Sequence, residues 1–501
     1  MTTRRLVLQL GALGAALAAA GCADAVGKAV ADDGQLRLSM AQPPRSFDPA
    51  QAQLGHFLPF FQAVYDPVLR IDADGTVGPN LATAWEYDEA RTRLTLTLRT
   101  DVVFTDGATF DSQVLKQNVE AFLAGNGPYA SVMRAVTGVE TPAPDTAVIV
   151  LSAPDPGFLE TLGSAGGFIA SPQVLGSPTL AMTPVGSGPY VLDAARSTTG
   201  VRYTFTRNPD WWGGQMPYDG IVMDIMTDNR ARLNALKAGQ LAGGFISNAS
   251  DAVEGESAGL VLEQSQVNFE GLIMFDRLGT LNPALADVRV RRALSVAVNR
   301  KGILEGVLLG RGEVTGQIFR PGDDGYLPEY DDAFPYDPDE ARGLLADAGY
   351  TDLEVDFPVS SGYDPAIIDS VIANWSSVGV RARRQEWASQ ELIPNLQKAE
   401  ASVAYFSLAM QGTWRQMANF IAEKASWNPF KVGDPVVADR IDRYQRGDVG
   451  AAEELNTFLV ENVWFAPFYR PNTFYLHARS VDVSPQSRQA VPAVYNFAPA
   501  D

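Results

Sequence analysis

Cysteine is almost absent: Cys22 is the only one in 501 residues, so no disulfide can close within the chain and no cysteine set can hold a metal. Histidine is nearly as scarce, with His56 and His477 alone, which excludes a histidine-rich metal centre. One imidazole could still join a carboxylate or a chelator carried by a ligand. No G-x-S-x-G elbow, Walker-type glycine–lysine loop or H-E-x-x-H pair occurs, which removes the common hydrolase, nucleotidase and zinc-protease arrangements. Gly186-Ser187-Gly188 lacks the third glycine and following helix of a dinucleotide site. The pairs Asp323-Asp324 and Asp331-Asp332 lack calcium-loop spacing and are expected in solvated loops. Positive charge is also in deficit: the chain carries −20, which repels nucleic acid and anionic lipid surfaces. These absences describe a binder, not a catalyst, and no cofactor or metal is expected.

Long apolar runs are missing too. The only substantial one, Leu6 to Ala20, has 15 residues and follows Arg4 and Arg5. A membrane-spanning helix needs about 20, so this run suits a signal peptide over residues 1–21. Its end, Leu17-Ala18-Ala19-Ala20-Gly21-Cys22, resembles the lipobox of bacterial lipoproteins, with Ala19 where leucine is commonest. That resemblance implies lipidation of Cys22, and two or more acyl chains would tether a soluble body to a bilayer. Thr3-Arg4-Arg5-Leu6-Val7-Leu8 also looks like a twin-arginine export signal, with an ordinary Sec signal as the open alternative. Loss of Arg4 and Arg5 on processing takes the net charge from −20 to −22.

What remains is rich enough to bury a large core: 46% of residues are hydrophobic and 20% charged. Residues 22–35 show no clear period and read as a tether. Beyond them strand and helix signals alternate. Leu94, Leu96 and Leu98 alternate with Thr95, Thr97 and Arg99 as in a half-buried strand, and Thr146 to Leu151 and Arg202 to Thr206 are further strands. Val290, Ala293, Leu294, Ala297 and Val298 share a helical face. Asp337-Pro338-Asp339-Glu340 reads as cap, first-turn proline and third-position glutamate, with Gly349 ending that helix. Asp228 similarly precedes a helix through Leu236. Such mixing implies two or three α/β lobes. Aromatics make up 10%, and they gather with polar partners at His56-Phe57-Leu58-Pro59-Phe60-Phe61 and over Ser407 to Phe420.

A series of motifs follows in order. Ser46-Phe47-Asp48-Pro49, Val64-Tyr65-Asp66-Pro67-Val68-Leu69, Gly78 to Trp85, and Val103-Phe104-Thr105-Asp106-Gly107 come first. Gly186-Ser187-Gly188-Pro189-Tyr190, Asn208-Pro209-Asp210-Trp211-Trp212-Gly213, Asp287 to Leu294 and Tyr336 to Ala341 follow them. Trp464 to Tyr469 adds a late strand. Together they resemble the peptide- and nickel-type solute-binding proteins of family 5, over nearly all of the chain beyond the tether.

The resemblance implies an α/β, two-lobed periplasmic-binding-protein fold of the large class II type, with an extra subdomain in lobe one. The implied division is lobe one over 36–268, with the subdomain at about 76–185. Lobe two then covers 269–480, and residues 481–501 return to lobe one. It further implies a monomeric, exported receptor that holds a small-molecule or peptide ligand between lobes closing as rigid bodies. Its partners would be ABC permease and ATPase subunits, with the membrane reached through the lipid anchor. By position, His56, Phe57, Tyr129 and Phe168 would line the cleft from lobe one. Phe269, Gln411, Trp414 and Arg415 would line it from lobe two. The family's peptide receptors often carry an aspartate for the peptide amine, but Leu408 to Phe420 contains no acid. An ammonium buried there would be uncompensated, whereas Arg415 could face a carboxylate or phosphate. Nickel-type members place arginines in the first lobe, and Gly125 to Tyr129 and Gly163 to Phe168 hold none. Gly186, Gly188 and Pro189 are expected to shape a turn.

Overall fold

The computed structural model describes residues 34–500, so the expected signal peptide, the expected lipobox with Cys22 and nearly all of the expected tether lie outside the described residues. The chain divides into two compact units. The first comprises residues up to Ala153, Phe158–Ser265 and the segment from Thr473 onward; the second comprises Pro154–Gly157 and Gln266–Asn472.

In the first unit, strand Gln35–Met40 runs parallel to Gly220–Ile225 in an unbroken six-residue register, and parallel to Gly243–Ile246 on its other side. Arg202–Arg207 and Tyr190–Leu192 extend this sheet antiparallel. Residues 474–477 close its other edge against Gly243–Ile246. Leu36, Leu38 and Met40 share one face of this strand by alternation and are fully buried. A separate four-stranded antiparallel sheet orders Ala82–Tyr87, Arg93–Leu98, Thr146–Leu151 and Val136–Ala143. Here Leu94, Leu96 and Leu98 face a core and Thr95 and Thr97 face water, as the alternation requires. Helix Ser112–Ala124 packs on this sheet, started by Asp111, whose carboxylate accepts the Val114 N–H at 2.9 Å.

The second unit is built on strand Asn268–Met274 between Val403–Ala409 and Phe465–His477, all antiparallel. Alternation divides its core in two. Leu272, Met274, Val403 and Tyr405 pack on one face with helices Val288–Val296, Pro338–Asp347 and Pro365–Ser377. Phe269, Ile273, Phe406 and Leu408 pack on the other with helices Pro435–Gln445 and Gly450–Glu461. Val290, Ala293 and Leu294 lie buried on helix Val288–Val296, while Ala297 and Val298, expected on the same face, are buried just past its end. Asp337 caps Pro338–Asp347 by accepting the Asp339 and Glu340 N–H groups, and Gly349 leaves the helix at φ +87°.

In each acidic pair the first member is drawn out of solvent, while Asp324 and Asp332 remain exposed. Asp323 accepts the Gln416 amide, Asp324 accepts the Tyr444 hydroxyl, and Asp331 accepts from Thr315, Tyr326 and Arg470. These carboxylates knot loops to the body of the unit, a role that long-range partners create and local composition does not reveal.

Candidate functional site

Motif segments far apart in sequence meet at Asp66. Its carboxylate is fully buried and accepts the Ser187 hydroxyl at 2.8 Å, the Trp212 indole N–H at 2.8 Å and the Trp211 indole N–H at 3.3 Å. Asn80 donates to the Pro67 carbonyl at 2.7 Å and Asn208 to the Gly188 carbonyl at 3.0 Å, tying the same strands of chain together. Burial raises the Asp66 carboxyl to about 6, against the pull of these donors. Gly186 is needed for closeness: a Cβ there would stand 2.0 Å from the Val64 carbonyl oxygen. The glycines thus shape a turn against residues 64 and 65, and Asp66 locks it. This cluster is scaffold.

The first unit also carries His56, Phe57 and Tyr129. Phe57 precedes helix Leu58–Val64, whose first turn holds Pro59. The loop at Gly127 packs so tightly on Ala50 that a Cβ would meet the Ala50 carbonyl oxygen at 1.9 Å. That contact brings the Tyr129 hydroxyl against the Leu54 backbone. The His56 ring stands edge-on to Phe245, centroids 4.7 Å apart, and its Nδ1 is buried without a hydrogen-bond partner among the described residues. Burial first, then the charge of Arg232, lowers the His56 pKa, so the imidazole is held neutral. Arg232 was not singled out from the sequence. Its guanidinium is spread over the carbonyls of Phe245, Met226 and Thr227 and the Asn229 amide oxygen, fixed by backbone without a carboxylate partner among these contacts.

In the second unit Gln411, Trp414 and Arg415 lie together. Helix Thr413–Gln416 widens into a π-helical turn at Met417–Ile421, a local irregularity frequent at functional sites. The Gln411 amide oxygen accepts from Asn419 at 2.8 Å, and the Gln411 carbonyl accepts from the buried Gln416 at 3.1 Å, bracing the turn. Arg415 corrects an expectation. Its Nη2 donates to Asp155 at 3.1 Å and to the Gly157 carbonyl at 3.4 Å, so its charge is spent within the protein and not held for a ligand anion. Trp414 donates to the same carboxylate, and Gln445 holds the Pro154 carbonyl at 2.6 Å. Burial raises the Asp155 pKa, opposed first by the Arg415 charge. Nothing local in Pro154-Asp155-Pro156-Gly157 points Asp155 at a residue 260 positions away.

Two expected wall residues are core. Phe168 is 4% exposed and stacks on Phe61 at 5.6 Å, and Phe269 is 1% exposed between Phe420 and Phe465. Each has its faces covered by its own unit's aromatics, so neither offers a ligand surface. Among the described residues no group of three or more His, Cys, Asp or Glu could hold a metal ion, and no helix is long and apolar enough to cross a membrane.

A family model described as bacterial extracellular solute-binding proteins, family 5 Middle, matches residues 76–422. The chain is 28% identical to heme-binding protein A of Haemophilus influenzae over 387 residues, 70% of each chain. It is 26% identical to a probable di/tripeptide-binding protein 5 of Pseudomonas aeruginosa, over 83% of this chain and 86% of that protein. Among solved structures, NikA from Brucella suis in complex with Fe(III)-EDTA superposes with a TM-score of 0.80 at 19% identity, covering 93% of this chain and 99% of that one.

Proposed function

Because this chain belongs to the bacterial extracellular solute-binding proteins of family 5, the substrate-binding components of ABC transporters of that type, we propose that it captures a peptide-like solute and hands it to an importer's permease. Binding proteins of this family are extracytoplasmic and its relatives bind solutes without transforming them. The observation that carries the peptide reading is the 463-residue alignment to the probable di/tripeptide-binding protein, the broadest of the sequence likenesses described above. The residue types support it: His56, Phe57 and Tyr129 in the first unit, and Gln411 and Trp414 in the second, are the aromatic and polar side chains that suit a flexible, mostly neutral chain. Arg415, bound to Asp155, is removed from the binding set. Export and anchoring through a lipidated Cys22 complete the proposal, on the strength of the N-terminal sequence, with the receptor acting as a monomer.

Thermal melts of the purified protein with tripeptides, hemin and Ni(II)- or Fe(III)-chelates test this reading. A ligand at a hundredfold excess over its Kd stabilises the folded state by about 2.7 kcal/mol, so peptides should raise the melting temperature. A shift produced by hemin or a chelate alone would replace the peptide reading, and no shift with any of them would remove it. Labelled palmitate incorporated into the wild-type chain and lost in Cys22→Ser checks the anchor.

A further inference from the structure

Glu270 lies on strand Asn268–Met274 where pairing with Phe465–His477 slips register between Glu270 and Gly271. Such bulges re-aim a side chain and recur beside functional sites. Alternation puts Glu270 on the face that carries Leu272 and Met274, both fully buried, while Glu270 remains partly exposed at that face's end. One carboxylate oxygen accepts the Tyr405 hydroxyl at 2.6 Å, and that hydroxyl lies 2.9 Å from the Tyr469 hydroxyl. The Ser407 hydroxyl donates to the same carboxylate, and the Asn268 amide donates to Ser407 at 3.2 Å. Tyr363 stands edge-on to Tyr405 with centroids 5.1 Å apart, its hydroxyl accepting the Ser407 N–H at 3.1 Å.

No cation answers this carboxylate among the described residues; the groups that hold it are neutral hydroxyls. Other buried acids of the same unit are answered. Asp155 has Arg415, Asp331 has Arg470, and Asp276 takes three backbone N–H groups from Thr280, Leu281 and Asn282. A desolvated carboxylate without a counter-charge destabilises the fold, and groups that cost stability without a structural return concentrate at functional sites.

We propose that Glu270, ringed by Tyr363, Tyr405 and Tyr469, is the recognition point for the ammonium group of a cationic solute. This rests on the solute-receptor reading above and narrows it to amine-bearing ligands. An ammonium brings three donors, which the carboxylate and the neighbouring hydroxyl oxygens can accept. The acid that the Leu408 to Phe420 stretch lacks is thus supplied from a neighbouring strand.

The test incubates wild-type protein and Glu270→Gln with a tryptic casein digest, half of it N-acetylated, and identifies retained peptides by mass spectrometry. Wild type should retain free-amine species over acetylated ones, and the variant should lose that preference, with affinity for a retained free-amine peptide reduced at least about 30-fold. Equal retention of acetylated and free species by wild type, or an unchanged preference in Glu270→Gln, would overturn the assignment while leaving the receptor reading intact. Retention of nothing by either form would overturn both. Melts of the ligand-free proteins add a readout that a structural role would reverse. Glu270→Gln should melt at or above the wild-type temperature, and a clear loss of stability would make Glu270 a structural acceptor for Tyr405.

Discussion

Replacing Asp66 by asparagine should make the protein's stability depend less on pH, in a direction set by the burial of this carboxyl. The group lies at about 6 when folded, against the 3.8 of an unperturbed aspartate. A folded-state pKa above the unfolded one means the native state holds the proton more tightly. The stability contributed by this group is therefore fully present below the unfolded value and is lost as pH rises through the folded one. A difference of that size corresponds to about 3 kcal/mol, most of it lost between about pH 4 and about pH 6. Asparagine keeps an oxygen to accept from Ser187 and Trp212 and places its amide opposite Trp211, whose 3.3 Å contact is the longest of the three. The measurement is urea unfolding of wild type and Asp66→Asn across this range. The difference between them isolates the one group. It must be a difference, because His56 acts in the opposite direction: its lowered pKa removes stability as pH falls below the unfolded histidine value. The wild-type advantage should shrink by about 2–3 kcal/mol from the acid end to neutrality. A flat difference, or one that grows with pH, would refute the reasoning.

Two further outcomes follow from contacts already described. Gly186→Ala should cost more than about 3 kcal/mol or prevent folding, since the added methyl overpacks against the Val64 backbone, which cannot yield as a side chain would; a melt within a few degrees of wild type would contradict this. Arg415→Met, Asp155→Asn and the double variant form a cycle whose coupling in urea unfolding should be about 1–3 kcal/mol, and additive effects would show that the pair contributes nothing jointly.

What could be read from sequence was what neighbours along the chain determine. The strand Arg93–Leu98 and the helix Pro338–Asp347 carry their burial pattern and caps within a dozen residues. The family resemblance carried the order of the segments, and with it the fold class. Side-chain roles were legible only where the backbone already dictated them, as at Gly186 and Gly188. Phe168 and Phe269 failed as ligand-wall candidates because a core aromatic and a wall aromatic look identical in one dimension. The Arg415–Asp155 pair failed because its partners are 260 residues apart.

Glu270 shows the converse. On a strand otherwise apolar over Gly271 to Met274, a lone glutamate reads as a solvent-facing edge residue. Its meaning comes from three tyrosines on other segments and from the lack of a cation beside it among the described residues, and neither has a local signature. Charge is therefore the more useful guide to where the sequence conceals function. Arg415 and Glu270 are both charged and both near polar clusters, yet one is neutralised inside its unit and the other is not. Only the unanswered charge exerts a field that a solute can complete. Recognition by this protein should therefore follow the sign of Glu270, and a receptor selecting amines is the consequence.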